Sequence, residues 1–182
     1  MHLYIVRHTQ VAVPKGTCYG ITDIGLADSF LLESEIICER LKGISFNYFF
    51  SSPLSRCRKL SNVLKENLEL SEINIDKRLV EMNFGDWETK IWSDIEKTKY
   101  AKKWFADFVN IPCPNGESYV QLIDRVKSFL KDINKLESNG NILIVTHGGI
   151  VKAINVIIKK WNPQNAFDLE VDYGQIVKLE LK

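Results

Sequence analysis

Hydrophobic and polar positions along this chain fall into two alternating patterns. Short runs rich in β-branched and aromatic residues at 3–7, 44–50, 73–75 and 142–146 end at turn or charged residues, which predicts strands buried in a sheet. Between them the pattern predicts helices near 29–42, 53–68 and 149–160. Val120, Ile123, Val126, Phe129, Leu130, Ile133 and Leu136 step by three and four, so residues 117–137 read as an amphipathic helix. Near the end, Ile176, Val177, Leu179 and Leu181 alternate with polar residues, as on an edge strand. Strand and helix in alternation predict an α/β fold of three layers, α/β/α: a mainly parallel sheet, helices on both faces and an antiparallel edge strand.

Residues 87–112 break this rhythm. Trp87, Trp92, Tyr100, Trp104, Phe105 and Phe108 are concentrated there beside Lys97, Lys99, Lys102 and Lys103. Two readings stay open: a helical excursion that packs its rings on the core, and a lid whose aromatic face covers an organic leaving group. The lysines read as a solvated face.

Composition narrows the class. With 182 residues and 45% hydrophobic content the chain can bury one sizeable core, so a single domain over 1–182 is expected. A net charge of +1 gives no field for nucleic acid or an anionic membrane. Cys18, Cys38, Cys57 and Cys113 are far apart, which argues against a zinc site and a secreted disulfide framework and fits a reducing cytoplasm. Residues 3–6 are shorter than the roughly 7 to 15 apolar residues of a signal-peptide core, and no segment approaches the roughly 20 needed to span a bilayer. A soluble, cytoplasmic protein is therefore expected, with its oligomeric state open.

The chemistry collects where strands stop. Leu3-Tyr4-Ile5-Val6 runs into Arg7-His8-Thr9-Gln10, and Asn141-Ile142-Leu143-Ile144-Val145 runs into Thr146-His147-Gly148-Gly149. A third run, Asn47-Tyr48-Phe49-Phe50, leads to Ser51-Ser52-Pro53-Leu54-Ser55-Arg56. Ser52 suits an N-cap and Pro53 the first helical position, which would place Arg56 in the opening turn of a helix. In an open α/β sheet these strand ends form the ligand-binding rim. Two arginines, two histidines and a helix N-terminus meeting there outline an anion site, and paired guanidinium donors suit phosphate.

These motifs resemble the histidine phosphatase superfamily, also called phosphoglycerate-mutase-like. They are joined by Cys18-Tyr19-Gly20-Ile21-Thr22-Asp23, Leu79-Val80-Glu81-Met82-Asn83-Phe84-Gly85-Asp86-Trp87-Glu88, and Gly116-Glu117-Ser118 with Arg125. Within the superfamily the resemblance is to α-ribazole-5′-phosphate phosphatases of the cobalamin pathway. It implies release of orthophosphate from α-ribazole 5′-phosphate. The chain departs from the family pattern at Thr9 and Gln10, where Gly and often Glu are usual. It departs again at Pro14, where the mutases carry an Asn and where Pro offers neither an amide side chain nor an N–H.

On this reading His8 is the nucleophile, since imidazole has an ordinary pKa of about 6.5 and is available unprotonated near neutral pH. Arg7, Arg56, His147 and the N–H of Gly148 would bind the phosphoryl oxygens, and their positive field would keep His8 neutral. The resemblance makes Glu81 the acid that protonates the leaving oxygen, although by sequence alone it is an ordinary loop carboxylate. Residues 17–22 would help define the substrate pocket through Tyr19, Gly20, Ile21 and Thr22, with Tyr19 stacking on a planar base. Glu117 and Arg125 would tie their helix to the active-site loops, and His2 reads as exposed or structural. No metal or cofactor is implied, because the arginines supply the positive charge and no carboxylates are spaced as ligands. Alternatives are a phosphatase of another small phosphate ester, a mutase, or a non-catalytic binder of a phosphorylated ligand.

Overall fold

Two strands at the centre of the sheet carry apolar side chains on both faces, and that forces helices onto each side. The computed structural model describes residues 1–70, 72–136 and 140–181. Its elements run β1 (His2–Arg7), α1 (Phe30–Leu41), β2 (Tyr48–Ser51), α2 (Ser55–Asn67), β3 (Ile73–Ile75), α3 (Trp92–Ile95), α4 (Lys99–Ala106), α5 (Tyr119–Ile133), β4 (Asn141–Thr146), α6 (Gly148–Lys159) and β5 (Ile176–Glu180). Short 3-10 turns occupy Lys77–Leu79, Gly85–Trp87 and Pro163–Asp168. The sheet order is β3-β2-β4-β1-β5, parallel except for β5, which pairs antiparallel with β1 at the edge.

Leu3 and Ile5 of β1, with Ile142 and Ile144 of β4, pack against α5 and α6. Their neighbours Val6, Leu143 and Val145 face Ile37, Leu41, Leu60 and Leu64 of α1 and α2. The expected three-layer α/β/α arrangement is what these alternate positions produce.

Three boundaries differ from the pattern. The second strand begins at Tyr48 rather than at 44. The Ile44 N–H donates to Leu41 O in the turn that ends α1, and Asn141 holds Ser45 O and Asn47 Oδ1, so the ladder starts only at Tyr48 opposite Ile142. Helix α2 starts at Ser55 with Leu54 as its N-cap, not at Pro53 with Ser52 capping: the Ser52 hydroxyl meets His147 and the Leu54 N–H, and Asp23 Oδ1 accepts from the Ser55 N–H. Helix α5 starts at Tyr119, where Ser118 and Gln121 form a reciprocal capping box. Its described residues end the helix at Ile133, and residue 137 of the expected span lies outside the described residues.

Residues 87–112 hold α3 and α4, whose rings pack on the core and in part line the main cavity. Trp87 and Trp104 are buried, 5.3 Å apart edge to face, while Trp92, Trp104, Phe105 and Phe108 also line the main cavity. Cys18 and Lys90 pin this excursion to the loop after β1, through the Cys18 N–H to Lys90 O and the Thr89 N–H to Cys18 O, each 2.7 Å.

Candidate active site

Parallel register places the three motif-bearing strands level at their C-terminal ends. Arg7 of β1 is opposite Thr146 of β4, and Ser51 of β2 is opposite Val145. The His8 N–H then donates to Thr146 O and the Ser52 N–H to Val145 O, so Ser52, His147 and His8 sit side by side just past the sheet. The two imidazoles have centroids 5.1 Å apart and are almost wholly buried.

Arg56, on the first turn of α2, organises them. Its guanidinium is fully buried, with Nη1 donating to Thr22 O at 2.9 Å and Nη2 to Gly20 O at 2.6 Å. Its Nε–H reaches both His8 Nε2 and His147 Nδ1 at 3.3 Å. Arginine only donates, so those two ring nitrogens are acceptors and the opposite nitrogens carry the hydrogens. His8 Nδ1–H donates to Thr9 O at 2.7 Å, and His147 Nε2–H donates to Ser52 Oγ at 2.7 Å. His8 therefore presents the lone pair of Nε2 towards a cation.

Burial first, then Arg56, holds both histidines well below the ordinary value of 6.5, with Arg7 adding a smaller effect in the same direction. Both rings are neutral at neutral pH. The sequence assigns that effect to the positive field alone, but loss of solvation is the larger cause.

Arg7 completes the positive side. Its Nη1 donates to Val171 O at 2.5 Å, its guanidinium carbon lies 3.9 Å above the Tyr173 ring, and its buried Nε has no partner among the described residues. Among the described residues neither Arg7 nor Arg56 belongs to an ion pair. A buried guanidinium held only by neutral acceptors is an uncompensated charge, and an anion is the ligand that relieves it.

Glu81 lies on the loop that precedes α3 and reaches the start of α6. Its Oε2 accepts from the Gly149 N–H at 3.0 Å and its Oε1 from the Met82 N–H at 2.9 Å. A Cβ at Gly149 would come 2.3 Å from Glu81 Oε1, so only glycine lets the carboxylate reach the start of α6. Arg125 fixes the same loop from behind, donating to Arg78 O, Glu81 O and the Glu117 carboxylate, while Glu117 also accepts from the Asn83 N–H. Glu117 lies before α5 rather than on it.

The cavity beside these groups has a volume of about 680 Å³. Arg7, His8, Glu81, Gly148 and Gly149 form one end, with Arg56 and His147 directly behind His8. The remaining walls carry the rings of Tyr19, Phe84, Trp92, Trp104, Phe105, Phe108, Tyr119, Phe167 and Tyr173, with Lys152 among them.

Of the expected substrate loop Thr17 and Tyr19 line this space; Gly20, Ile21 and Thr22 do not. Gly20 and Thr22 instead lend their carbonyls to Arg56, Ile21 is exposed, and the Ile21 and Thr22 N–H groups bond the Glu88 carboxylate. A Cβ at Gly20 would fall 1.7 Å from Met82 O, so this glycine is demanded by close approach of two loops. Glu88 is thus a brace for Arg56 that sequence reasoning left unassigned.

Tyr173 was also missed. Its hydroxyl bonds that of Tyr19 at 2.5 Å, and its ring stacks on Arg7, yet it lies in a C-terminal loop with no motif around it. Lys152 could have been found, since it is one helical turn beyond Gly148 and shares its face. His2 is exposed at the start of β1.

The family model described as the histidine phosphatase superfamily, branch 1, matches residues 3–182. A putative phosphoserine phosphatase 2 of Hydrogenobacter thermophilus is 30% identical over 99% of this chain and 89% of its own length. The adenosylcobalamin/α-ribazole phosphatase of Escherichia coli is 25% identical over 96% of this chain and 87% of its own. Among solved structures, the α-ribazole phosphatase from Shigella flexneri superposes with a TM-score of 0.91 at 22% identity, covering 100% of this chain and 91% of that one. Among the described residues no helix is long and apolar enough to cross a membrane.

Proposed function

The chain belongs to the histidine phosphatase superfamily, and from that membership we propose that it is a phosphomonoesterase working through a phosphohistidine on His8, with α-ribazole 5′-phosphate as substrate. The observation that carries the chemistry is the buried Arg56, without an ion pair among the described residues, donating to His8 Nε2. A phosphoryl group entering there meets Arg7 and the first turn of α6, while the Arg56 charge stands directly behind the nucleophile; together they favour charge on its oxygens as it transfers.

In the first step His8 Nε2 forms the bond to phosphorus and the bond to the ester oxygen breaks. That oxygen takes a proton from Glu81. The Nδ1–H bond to Thr9 O supports the positive charge on the phosphorylated ring. In the second step water attacks phosphorus, Glu81 accepts its proton, and the P–N bond breaks to free orthophosphate and neutral His8. Thr9, where the family pattern has glycine, has a buried hydroxyl without a partner among the described residues.

Aromatic cavity walls support a leaving group with a planar, apolar portion, such as the base of α-ribazole. Phosphoserine is the competing reading, carried by the relative from Hydrogenobacter. Phosphate release from α-ribazole 5′-phosphate, O-phosphoserine and 3-phosphoglycerate, with His8→Ala as control, separates them. Selective turnover of the first, lost in His8→Ala, is the expected result; preference for phosphoserine would discard the substrate and keep the mechanism.

A further inference from the structure

Four buried side-chain polar atoms have no hydrogen-bond partner among the described residues: Arg7 Nε, Thr9 Oγ1, Trp104 Nε1 and Tyr119 Oη. They sort into two groups. Arg7 and Thr9 flank His8 in sequence and belong to the phosphate end, whereas Trp104 and Tyr119 line the aromatic part of the cavity. The two rings share Phe108 as a neighbour, with centroids 5.9 and 5.8 Å from it, and they come from unrelated elements, α4 and the first turn of α5.

Leaving a buried donor unsatisfied costs about 1–3 kcal/mol, so two in one wall are a standing penalty unless something that enters the cavity meets them. Tyr119 is fully buried and Trp104 only 3% exposed, so bulk solvent does not serve them. Burial, and then the Glu81 carboxylate, push the Tyr119 hydroxyl up from its ordinary value, which keeps it a donor. Phenylalanine at 119 would fill the same apolar space without a polar atom.

We infer that Tyr119 Oη and Trp104 Nε1 are specificity-determining donors that read a hydrogen-bond acceptor on the leaving group. The substrate class is then a phosphomonoester whose leaving group combines a planar apolar body with ring nitrogen or oxygen acceptors, rather than a plain aromatic alcohol. This rests on the phosphatase reading above, and it makes Tyr119 and Trp104 binding residues that leave the phosphoryl chemistry to His8 and Glu81.

The test compares kcat/KM for α-ribazole 5′-phosphate and for 1-naphthyl phosphate, which is bicyclic but has no acceptor beyond the ester. In Tyr119→Phe, and separately in Trp104→Phe, the ratio of the two is expected to fall about tenfold, mostly through KM. An unchanged ratio would overturn the inference, and so would an equal loss on both esters, which marks a packing role. Equilibrium binding of α-ribazole itself, which has no phosphate to transfer, reads the same contacts without turnover. If the wild type turns over neither ester but Tyr119→Phe binds α-ribazole about tenfold more weakly, the subsite stands and the phosphatase reading falls. If turnover is present and α-ribazole binding is unaltered in both variants, the subsite falls and the phosphatase reading stands.

Discussion

At the scale of single residues, the site depends on side chains with one permitted arrangement. Gly149 shows this most directly, because an added methyl would meet Glu81 Oε1 at 2.3 Å. Gly149→Ala is expected to swing the carboxylate away and lower kcat by about 10²-fold or more, the usual range for losing a general acid. Single-turnover kinetics with a poor leaving group would show the loss, and a good leaving group such as 4-nitrophenol would largely escape it. Thr9→Val removes a buried hydroxyl that bonds nothing among the described residues. The variant is therefore expected to keep its melting temperature or gain slightly, by up to about 1 kcal/mol, as read by a thermal melt. Arg7, His8, Arg56 and His147 were legible as a set because each directly follows, or nearly follows, an apolar run. Gly20, Ile21 and Thr22 were misplaced because a motif gives adjacency in sequence, while the backbone turns the Gly20 and Thr22 carbonyls towards Arg56 and leaves Ile21 exposed.

At the scale of elements, periodicity located every strand and the long helices, and at α5 capping chemistry decided where the helix begins. Helix α5 begins at the Ser118 and Gln121 capping box, and Arg125 then carries its position to the loop holding Glu81. Ser118→Ala is expected to destabilise the protein by about 1 kcal/mol, lowering Tm by about 2–4 °C for a chain of this size. Activity at a temperature well below Tm should persist, since the cap bonds only its own helix and Gln121. Arg125→Met acts differently, because it frees three acceptors on or beside that loop. It is expected to reduce kcat more than a cap variant of equal Tm, which a matched comparison of melts and rates would reveal. The start of β2 was not legible, since Ile44 and Phe46 are apolar enough for a strand but are spent on packing beneath α1 and α2.

At the scale of the whole molecule, the order β3-β2-β4-β1-β5 is what converts distant motifs into one site, and no local pattern states that order. The aromatic cavity is likewise assembled from the loop after β1, the excursion of α3 and α4, the start of α5 and the C-terminal loop. Burying two neutral histidines also gives the molecule a pH signature. Both have native values lowered from 6.5, so the unfolded chain takes up protons that the native state refuses as pH falls through about 6.5. Stability is expected to be level above that point with respect to these groups and to decline below it. Melting temperatures measured down to about pH 5 should fall, and a level profile would mean that the rings are protonated in the native protein. The acid limb of kcat/KM attributable to His8 should also lie below 6.5.

The central claim is that His8 Nε2 carries the phosphoryl group. Rapid acid-free quenching of the enzyme with ³²P-labelled substrate, followed by peptide mapping, tests it without reference to which alcohol leaves. The account expects an acid-labile, alkali-stable phosphate on the peptide containing His8, formed and lost at rates compatible with turnover and absent in His8→Ala. Turnover that survives His8→Ala, or label found on another residue, would contradict it.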